Sequence, residues 1–209
     1  MQKIDIQTWN RREIYKQFST DFHQPFYCVA FKMDITNLFK YVKKEGLPFY
    51  FSMIHLATKA INTVENFRYR NINGEIYLLD KLEPSITNMP HGSEIFQVTN
   101  CKMEENLKTF CQKVRLMTDS QQTFMGGDEI EHDGIVLFSC NPWLELTTAT
   151  NPIQGDTTDN IPRICWGKFF SEGDRLKFNM SVQANHCFVD GLHVGKFAKE
   201  LQNAIDQLQ

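Results

Sequence analysis

The clearest candidate for chemistry is a histidine followed four residues later by Asp-Gly: His186, Asp190 and Gly191. It follows an alternating run, residues 176–183, that predicts a strand, and it precedes apolar residues at helical spacing. A histidine at a strand end, just before a helix, can be held over a cleft. A neutral imidazole there could take a proton from an alcohol near neutral pH. The alternative is a core histidine satisfied by a backbone carbonyl.

The extended motif resembles the active-site signature of the chloramphenicol acetyltransferases. Its His-x-x-x-Asp-Gly core, which dihydrolipoamide acyltransferases share, spans residues 186–191. Ser-Val-Gln precedes it and Leu-His-Val-Gly follows it, which makes the match more specific. Other landmarks occur in family order, so the resemblance covers essentially the whole chain; they are Asp-Ile-Thr at 34–36, Pro-Phe-Tyr at 48–50, Asn-Phe-Arg at 66–68 and Glu-Gly-Asp-Arg-Leu at 172–176.

The resemblance implies direct acetyl transfer from acetyl-CoA to a hydroxyl acceptor, with His186 as general base. The second ring nitrogen of His186 is then held by the residue's own backbone carbonyl. Asp190 pairs with Arg11, within the Trp-Asn-Arg-Arg-Glu segment at 9–13, and so fixes the loop that carries the histidine. Without the resemblance, Asp190 is an N-cap acid that favours the helix dipole, and Arg11 is a solvated helix residue.

Ser139 ends an apolar run three residues before Pro142-Trp143. By the same resemblance it donates to the oxyanion that forms on the thioester, a type of contact worth ~10²–10³ in rate. The alternative is a satisfied strand terminus. Covalent catalysis by Cys187 is rejected because neighbours in a strand point to opposite faces, which keeps the thiol away from His186.

Other residues correspond to substrate-binding positions of the resembled family. The acceptor-pocket positions are Phe18, Thr87, Phe96, Ala149, Asn151 and Cys165. Three of these depart from the family: Ala149 and Asn151 replace large apolar residues, and Cys165 replaces a threonine that organises active-site water. Trp143 and Lys168 resemble positions lining the CoA channel, although a core aromatic and a surface lysine are equally compatible with the sequence.

Composition excludes several other classes. The 209 residues, 42% hydrophobic and 22% charged with net charge −3, predict a soluble protein without a basic face for nucleic acid. No run approaches the ~18 apolar residues of a membrane span, and the N-terminus has no secretory apolar region. The six cysteines lack metal-ligand spacing, as do the scattered histidines His23, His55, His91 and His132, so no metal site and reduced, cytoplasmic thiols are expected. No glycine-rich phosphate loop is present.

Patterning predicts one α/β domain over residues 1–209: a two-layer sandwich with a mixed β-sheet and flanking helices. The predicted helices cover residues 8–19, 35–45 after Asp34 as cap, 49–65, about 103–117 and 194–208. The predicted strands cover 26–33, 83–89, 94–98, 135–139, 162–170 and 176–183, with a hairpin at 67–79 and loops at 118–134 and 147–160. The resemblance further implies a homotrimer with active sites between subunits, His186 reaching across from one neighbour.

The sequence therefore predicts acetylation of chloramphenicol, which would inactivate the antibiotic. One alternative is a CoA-dependent O-acyltransferase for another hydroxyl acceptor, supported by Ala149 and Asn151. The other is a non-catalytic trimeric binding protein with the same fold. The presence of His186, Asp190, Arg11 and Ser139 together argues against this last alternative.

Overall fold

A computed structural model of the protein describes residues 1–154 and 159–208, in which a layer of helices packs on a β-sheet layer. Residues 155–158 of the predicted loop 147–160, and Gln209, lie outside the described residues. The strands are β1 (Gln2–Lys3), β2 (Phe26–Asp34), β3 (Tyr69–Ile72), β4 (Glu75–Leu78), β5 (Glu83–Asn88), β6 (Gln97–Asn100), β7 (Met125–Gly127), β8 (Ile135–Asn141), β9 (Arg163–Gly167), β10 (Phe170–Glu172) and β11 (Arg175–Asn185). The helices are α1 (Arg12–Asp21), α2 (Thr36–Glu45), α3 (Phe49–Asn62), α4 (Leu107–Ser120) and α5 (Gly191–Asp206).

The main sheet has eight strands and is organised around β11. One edge of β11 pairs antiparallel with the whole of β2, and the other pairs with β9 and with the short β10. The sheet continues through parallel β8 and β5 to β6 and β7, so it is mixed, as predicted. A second, three-stranded sheet is formed by β1, β4 and β3, of which β1 was not predicted.

The alternation of side chains along β11 separates the two faces of the main sheet. Met180, Val182 and Ala184 belong to the buried apolar core, whereas Ser181 and Gln183 belong to the opposite, polar face. The core lies between the sheet and the helices. Because the polar face lacks such apolar cover, it is the face on which hydrogen-bonding groups can accumulate.

Helix α5 follows directly on the histidine motif, and its sequence explains its position. Val194, Phe197, Leu201 and Ile205 recur at spacings of three and four residues and are all buried. Truncating a fully buried phenylalanine such as Phe197 typically costs ~3–5 kcal/mol. Because α5 is anchored in the core in this way, the C-terminal end of the histidine motif that leads into it is fixed in position. Among the described residues, no helix is both long enough and apolar enough to cross a bilayer.

Several predicted boundaries are wrong, each for a local reason. Helix α1 begins at Arg12 rather than at residue 8, because residues 5–9 form turns that pack Trp9 against Tyr69 with ring centroids 4.9 Å apart. Helix α4 begins at Leu107 rather than near 103, because the side chain of Asn106 accepts a hydrogen bond from the Thr109 N–H and caps the helix there.

The stretch 118–134 is not simply a loop, and the strand predicted at 94–98 lies at Gln97–Asn100. The stretch 118–134 contains the end of α4, strand β7 and a short 3₁₀ turn, His132–Gly134. Gln121 organises it, since its side-chain amide donates to the Val98 carbonyl and accepts from the Thr99 hydroxyl. This region is thus held by the hydrogen bonds of one side chain and not by alternating apolar residues. Sequence-based strand prediction depends on such alternation, so it missed the strand.

Candidate active site

His186 lies in the turn that immediately follows β11, with its ring held between two aromatic side chains. The ring stacks on Phe18 and on Tyr27, at centroid distances of 4.5 and 4.4 Å. Its backbone N–H donates to the Pro25 carbonyl at 2.7 Å, which ties the turn to the start of β2. The side chain remains 33% exposed. The imidazole is therefore fixed in orientation but accessible to a substrate.

Arg11 holds the turn that carries His186 through all three nitrogens of its guanidinium group. Its two terminal nitrogens each donate to one carboxylate oxygen of Asp190 at 2.6 Å. Nε donates to the Cys187 carbonyl at 2.7 Å, and Nη2 also donates to the His186 carbonyl at 3.0 Å. Arg11 is buried, and its hydrogen bonds hold the pKa of Asp190 below its usual range. The predicted pairing of these two residues is thus present, and it clamps the histidine turn at three points.

The two ring nitrogens of His186 have different surroundings. Nδ1 is buried and lies 3.2 Å from the Asp190 Oδ1 atom, but the angles do not make a hydrogen bond. The expected bond from Nδ1 to the carbonyl of His186 itself is not formed among the described residues, and that carbonyl accepts from Arg11 Nη2 instead. The nearby carboxylate favours a proton on Nδ1 electrostatically. That tautomer leaves Nε2 as the free base.

The sequence argument against Cys187 was wrong in its geometry. Residues 186 and 187 lie in the turn beyond β11, so strand alternation does not separate them. A different property excludes the thiol as a nucleophile. Cys187 is buried, and burial raises its pKa to about 11, so the reactive thiolate is disfavoured at neutral pH.

A second group of predicted residues gathers around Ser139 on the polar face of the sheet. Strand register places Cys165 directly beside Ser139, and the Ser139 hydroxyl donates to the Asn151 Oδ1 atom at 3.4 Å. The segment that carries Ala149 and Asn151 is bound to the face of β11. The Ala149 N–H donates to the Ser181 hydroxyl at 2.9 Å, and the Asn151 N–H donates to the Gln183 side-chain oxygen at 2.7 Å. The three departures from the family thus lie together.

A groove of about 520 Å³ brings together four more of the predicted residues. Thr87 and Phe96, assigned to the acceptor, share it with Trp143 and Lys168, assigned to CoA. Tyr50 also lines it, is partly buried, and donates from its hydroxyl to the Thr87 carbonyl at 2.8 Å. Half of the lining residues are aromatic, and Lys168 is the cationic side chain among them. Such a volume is typical of small-molecule sites.

Sequence reasoning missed Tyr27 and Tyr50 as site residues. Tyr27 reaches His186 only because β2 pairs with β11 in a register that sets Tyr27 opposite Ala184. Antiparallel register between segments about 150 positions apart leaves no local signal in the sequence. For Tyr50 a signal existed, since it belongs to the Pro-Phe-Tyr landmark at 48–50.

Within one chain, the two groups of residues are far apart. Cys165 pairs with Ser139 on one side and with Ser181 on the other, so Ser139 and Ser181 are two strand spacings apart, about 10 Å. From Ser181, β11 runs a further four residues to Asn185, about 13 Å, before His186 is reached. The distance between the Ser139 and Asn185 positions is therefore about 16 Å. A general base and an oxyanion donor that act on the same acyl group must each lie about 3 Å from the reacting atom that they contact.

Comparison with solved structures gives the class of the fold, that of acyltransferase catalytic chains. A structure of a chloramphenicol acetyltransferase superposes with a TM-score of 0.87 at 24% identity, covering 98% of this chain and 99% of that one. A probable dihydrolipoamide acetyltransferase from Listeria monocytogenes gives 0.68 at 14% identity, covering 100% and 96%. The predicted α/β fold is confirmed.

The family follows from the sequence comparisons. The sequence model of the chloramphenicol acetyltransferase family matches residues 1–202. "Chloramphenicol acetyltransferase 2" of Escherichia coli is 29% identical, over 99% of this chain and 97% of that protein. This chain belongs to the chloramphenicol acetyltransferase family, as its motifs predicted.

Proposed function

We propose that this protein transfers the acetyl group of acetyl-CoA to a hydroxyl of chloramphenicol, with His186 as general base. The observation that carries the proposal is the partly exposed imidazole, stacked between Phe18 and Tyr27, in a turn held by the Arg11–Asp190 pair. A base must be oriented before it can accelerate proton transfer, and these contacts orient it. The names of the relatives support chloramphenicol as the acceptor.

In the proposed reaction, His186 Nε2 takes the proton of the acceptor hydroxyl. The oxygen then attacks the thioester carbonyl of acetyl-CoA, and Ser139 donates a hydrogen bond to the oxyanion. When the tetrahedral intermediate collapses, the C–S bond breaks and the imidazolium returns its proton to the departing thiolate. The products are the acetyl ester and free CoA. No covalent enzyme intermediate is required.

The active site is proposed to form between two copies of the chain. The separation of about 16 Å between the Ser139 and Asn185 positions supports this, because one copy does not bring base and oxyanion donor together. Strand β2 supports it as well: it has nine residues, and its outer edge pairs with no strand of the described residues. Long free edges are usually covered. A closed homotrimer, with His186 supplied across each interface, satisfies both observations.

The groove beside Tyr50 is proposed to receive acetyl-CoA. Its aromatic walls suit an apolar chain, and Lys168, exposed at its rim, can attract a phosphate group. Cys140, which follows Ser139 along β8, also lines the groove, although strand alternation points its side chain to the sheet face opposite to that of Ser139. This placement supports the assignment of Trp143 and Lys168 to the cofactor.

A second candidate is O-acyl transfer to a more polar hydroxyl compound. It is favoured by the surroundings of Ser139, where Asn151, Cys165, Ser181 and Gln183 present hydrogen-bonding groups. The binding free energy of a nitrophenyl group comes from burying apolar area against apolar contacts, at roughly 25 cal/mol per Å². A surface of hydrogen-bonding groups therefore adds little to it.

Release of free thiol from acetyl-CoA, followed with a thiol reagent, tests the proposal. Wild-type protein should release thiol only when chloramphenicol is added, and mass spectrometry should find the acetyl ester. The His186→Asn variant should lose the activity, whereas His91→Asn, a matched change at an exposed histidine, should retain it. Thiol release with other hydroxyl compounds but not with chloramphenicol would favour the second candidate. No release with any acceptor would contradict both.

A further inference from the structure

A second histidine of the motif has no part in the reaction proposed above. His193 lies in the first turn of α5, and 91% of its surface is buried, leaving 9% exposed. Its Nδ1 atom accepts a hydrogen bond from the backbone N–H of Asp190 at 2.9 Å. A backbone N–H can only donate, so Nδ1 carries no proton. His193 is therefore neutral in this structure, with its proton on Nε2.

This contact joins His193 to the residue that controls the turn of the general base. The side chain of Asp190 is held by Arg11, and its backbone is held by His193. The Oδ1 atom of Asp190 in turn lies 3.2 Å from Nδ1 of His186. A shift at the start of α5 would thus be passed on to both the Arg11 contact and the environment of the base.

We propose that neutral His193 is a positioning residue for acetyl transfer, and that its protonation disables the site independently of the protonation of His186. The proposal rests on the proposed function. A proton on Nδ1 would bring two hydrogen-bond donors face to face, the Nδ1–H of His193 and the backbone N–H of Asp190, and the hydrogen bond between them would be lost. The first turn of α5 would lose this capping hydrogen bond, and the backbone of Asp190 would no longer be held by His193.

The charged and titratable groups around His193 come from several elements. A polar cavity of about 190 Å³ beside it is lined by Arg11, Glu65 and Tyr69; the Asp190 carboxylate and Lys196 of α5 complete the set. Burial lowers the pKa of His193, and the charges of Arg11 and Lys196 act in the same direction, while Asp190 opposes them. The neutral form is therefore favoured at neutral pH, in agreement with the hydrogen bond.

The consequence is measurable in the acid limb of kcat/KM. When two histidines must both be neutral, activity falls with a slope of about two on a logarithmic plot below both pKa values, and with a slope of about one when only one matters. His193→Asn keeps an acceptor where Nδ1 was, but it does not titrate. We expect a slope near two in wild type, and near one in His193→Asn, with activity at pH 8 within about threefold of wild type.

His193→Leu removes the acceptor altogether. We expect kcat at pH 8 to fall about tenfold with KM little changed, which corresponds to the loss of one net hydrogen bond. Far-UV circular dichroism at each pH keeps unfolding separate from loss of activity. A slope near one in active, folded wild type would overturn the proposal, as would a slope near two in His193→Asn or full activity of His193→Leu. Absence of acetyl transfer at every pH would overturn the proposed function, and this proposal with it.

The free energy of unfolding tests the contact without any substrate. Because the pKa of His193 is lowered in the folded state, the unfolded chain binds more protons between that pKa and about 6.5. Stability conferred by this group is thus present above about pH 6.5 and is lost as pH falls through the folded pKa. Between pH 8 and pH 5, His193→Asn should lose less stability than wild type. An equal loss in both proteins would contradict a neutral, capping His193.

Discussion

The Arg11–Asp190 pair allows a prediction that can be worked through quantitatively. Arg11→Ala and Asp190→Ala each remove one partner of a bidentate pair whose two hydrogen bonds are each 2.6 Å long. Arg11→Ala also releases the carbonyls of His186 and Cys187. Asp190→Ala leaves a guanidinium buried, with those two carbonyls as its remaining partners among the described residues. Both changes should therefore lower the free energy of unfolding and slow acetyl transfer.

Breaking a buried pair by removing one partner costs on the order of 3–5 kcal/mol. The side chain of Asp190 is 31% exposed, which moves the expected cost to the lower end, about 3 kcal/mol for each single variant. The double variant should cost about 4 kcal/mol rather than about 6, a coupling of about 2 kcal/mol, because residues in direct contact are not additive. The kcat should fall in both single variants because the turn carrying His186 loses its anchor.

Urea denaturation at a fixed protomer concentration measures the coupling, since an oligomer's stability depends on concentration. Arg12→Ala is the matched control. Arg12 is the next residue, is 45% exposed and pairs with an exposed Glu13, so its loss should cost below about 0.5 kcal/mol. A coupling below about 0.3 kcal/mol between Arg11 and Asp190 would refute the reasoning, as would a control as damaging as Arg11→Ala.

Three further variants test the site. Ser139→Ala should lower kcat ~10²-fold or more with little change in KM, since the oxyanion exists only near the transition state; a pure KM effect would contradict this role. Cys187→Ala should keep kcat within about threefold, because its buried thiol is protonated; a large loss of kcat in folded protein would reopen covalent catalysis. Ala149→Phe should lower KM for chloramphenicol roughly tenfold by restoring about 60–100 Å² of apolar contact, and an unchanged KM would contradict that placement.

Much of the fold and of the histidine site could be predicted from sequence because the signals are local. The alternation along β11 and the spacing of apolar residues in α5 predicted both elements, and the motif between them identified His186. The pairing of Arg11 with Asp190 came from family resemblance alone. The single domain over residues 1–209, the cytoplasmic location and the roles of the site residues stay predictions.

The features that escaped prediction depend on contacts between distant segments. The polar face around Ser139 exists because Ser181 and Gln183 hold the backbone of residues 149 and 151, a contact without periodicity. Strand β7 depends on parallel pairing with β6 and on Gly127, whose φ of 94° suits glycine. Both were assigned to loops because each segment by itself is polar and irregular.

The central claim, a site in which one copy supplies His186 and another supplies Ser139, can be tested by mixing two inactive variants. His186→Ala and Ser139→Ala chains carrying different affinity tags are expressed together, and trimers holding both tags are purified. In a closed ring of three, every mixed trimer has one interface at which both residues are intact, so about one third of wild-type activity is expected. The His186→Ala homotrimer should be inactive, and the Ser139→Ala homotrimer should have about 1% of wild-type activity or less. Mixed trimers no more active than those homotrimers would contradict the claim.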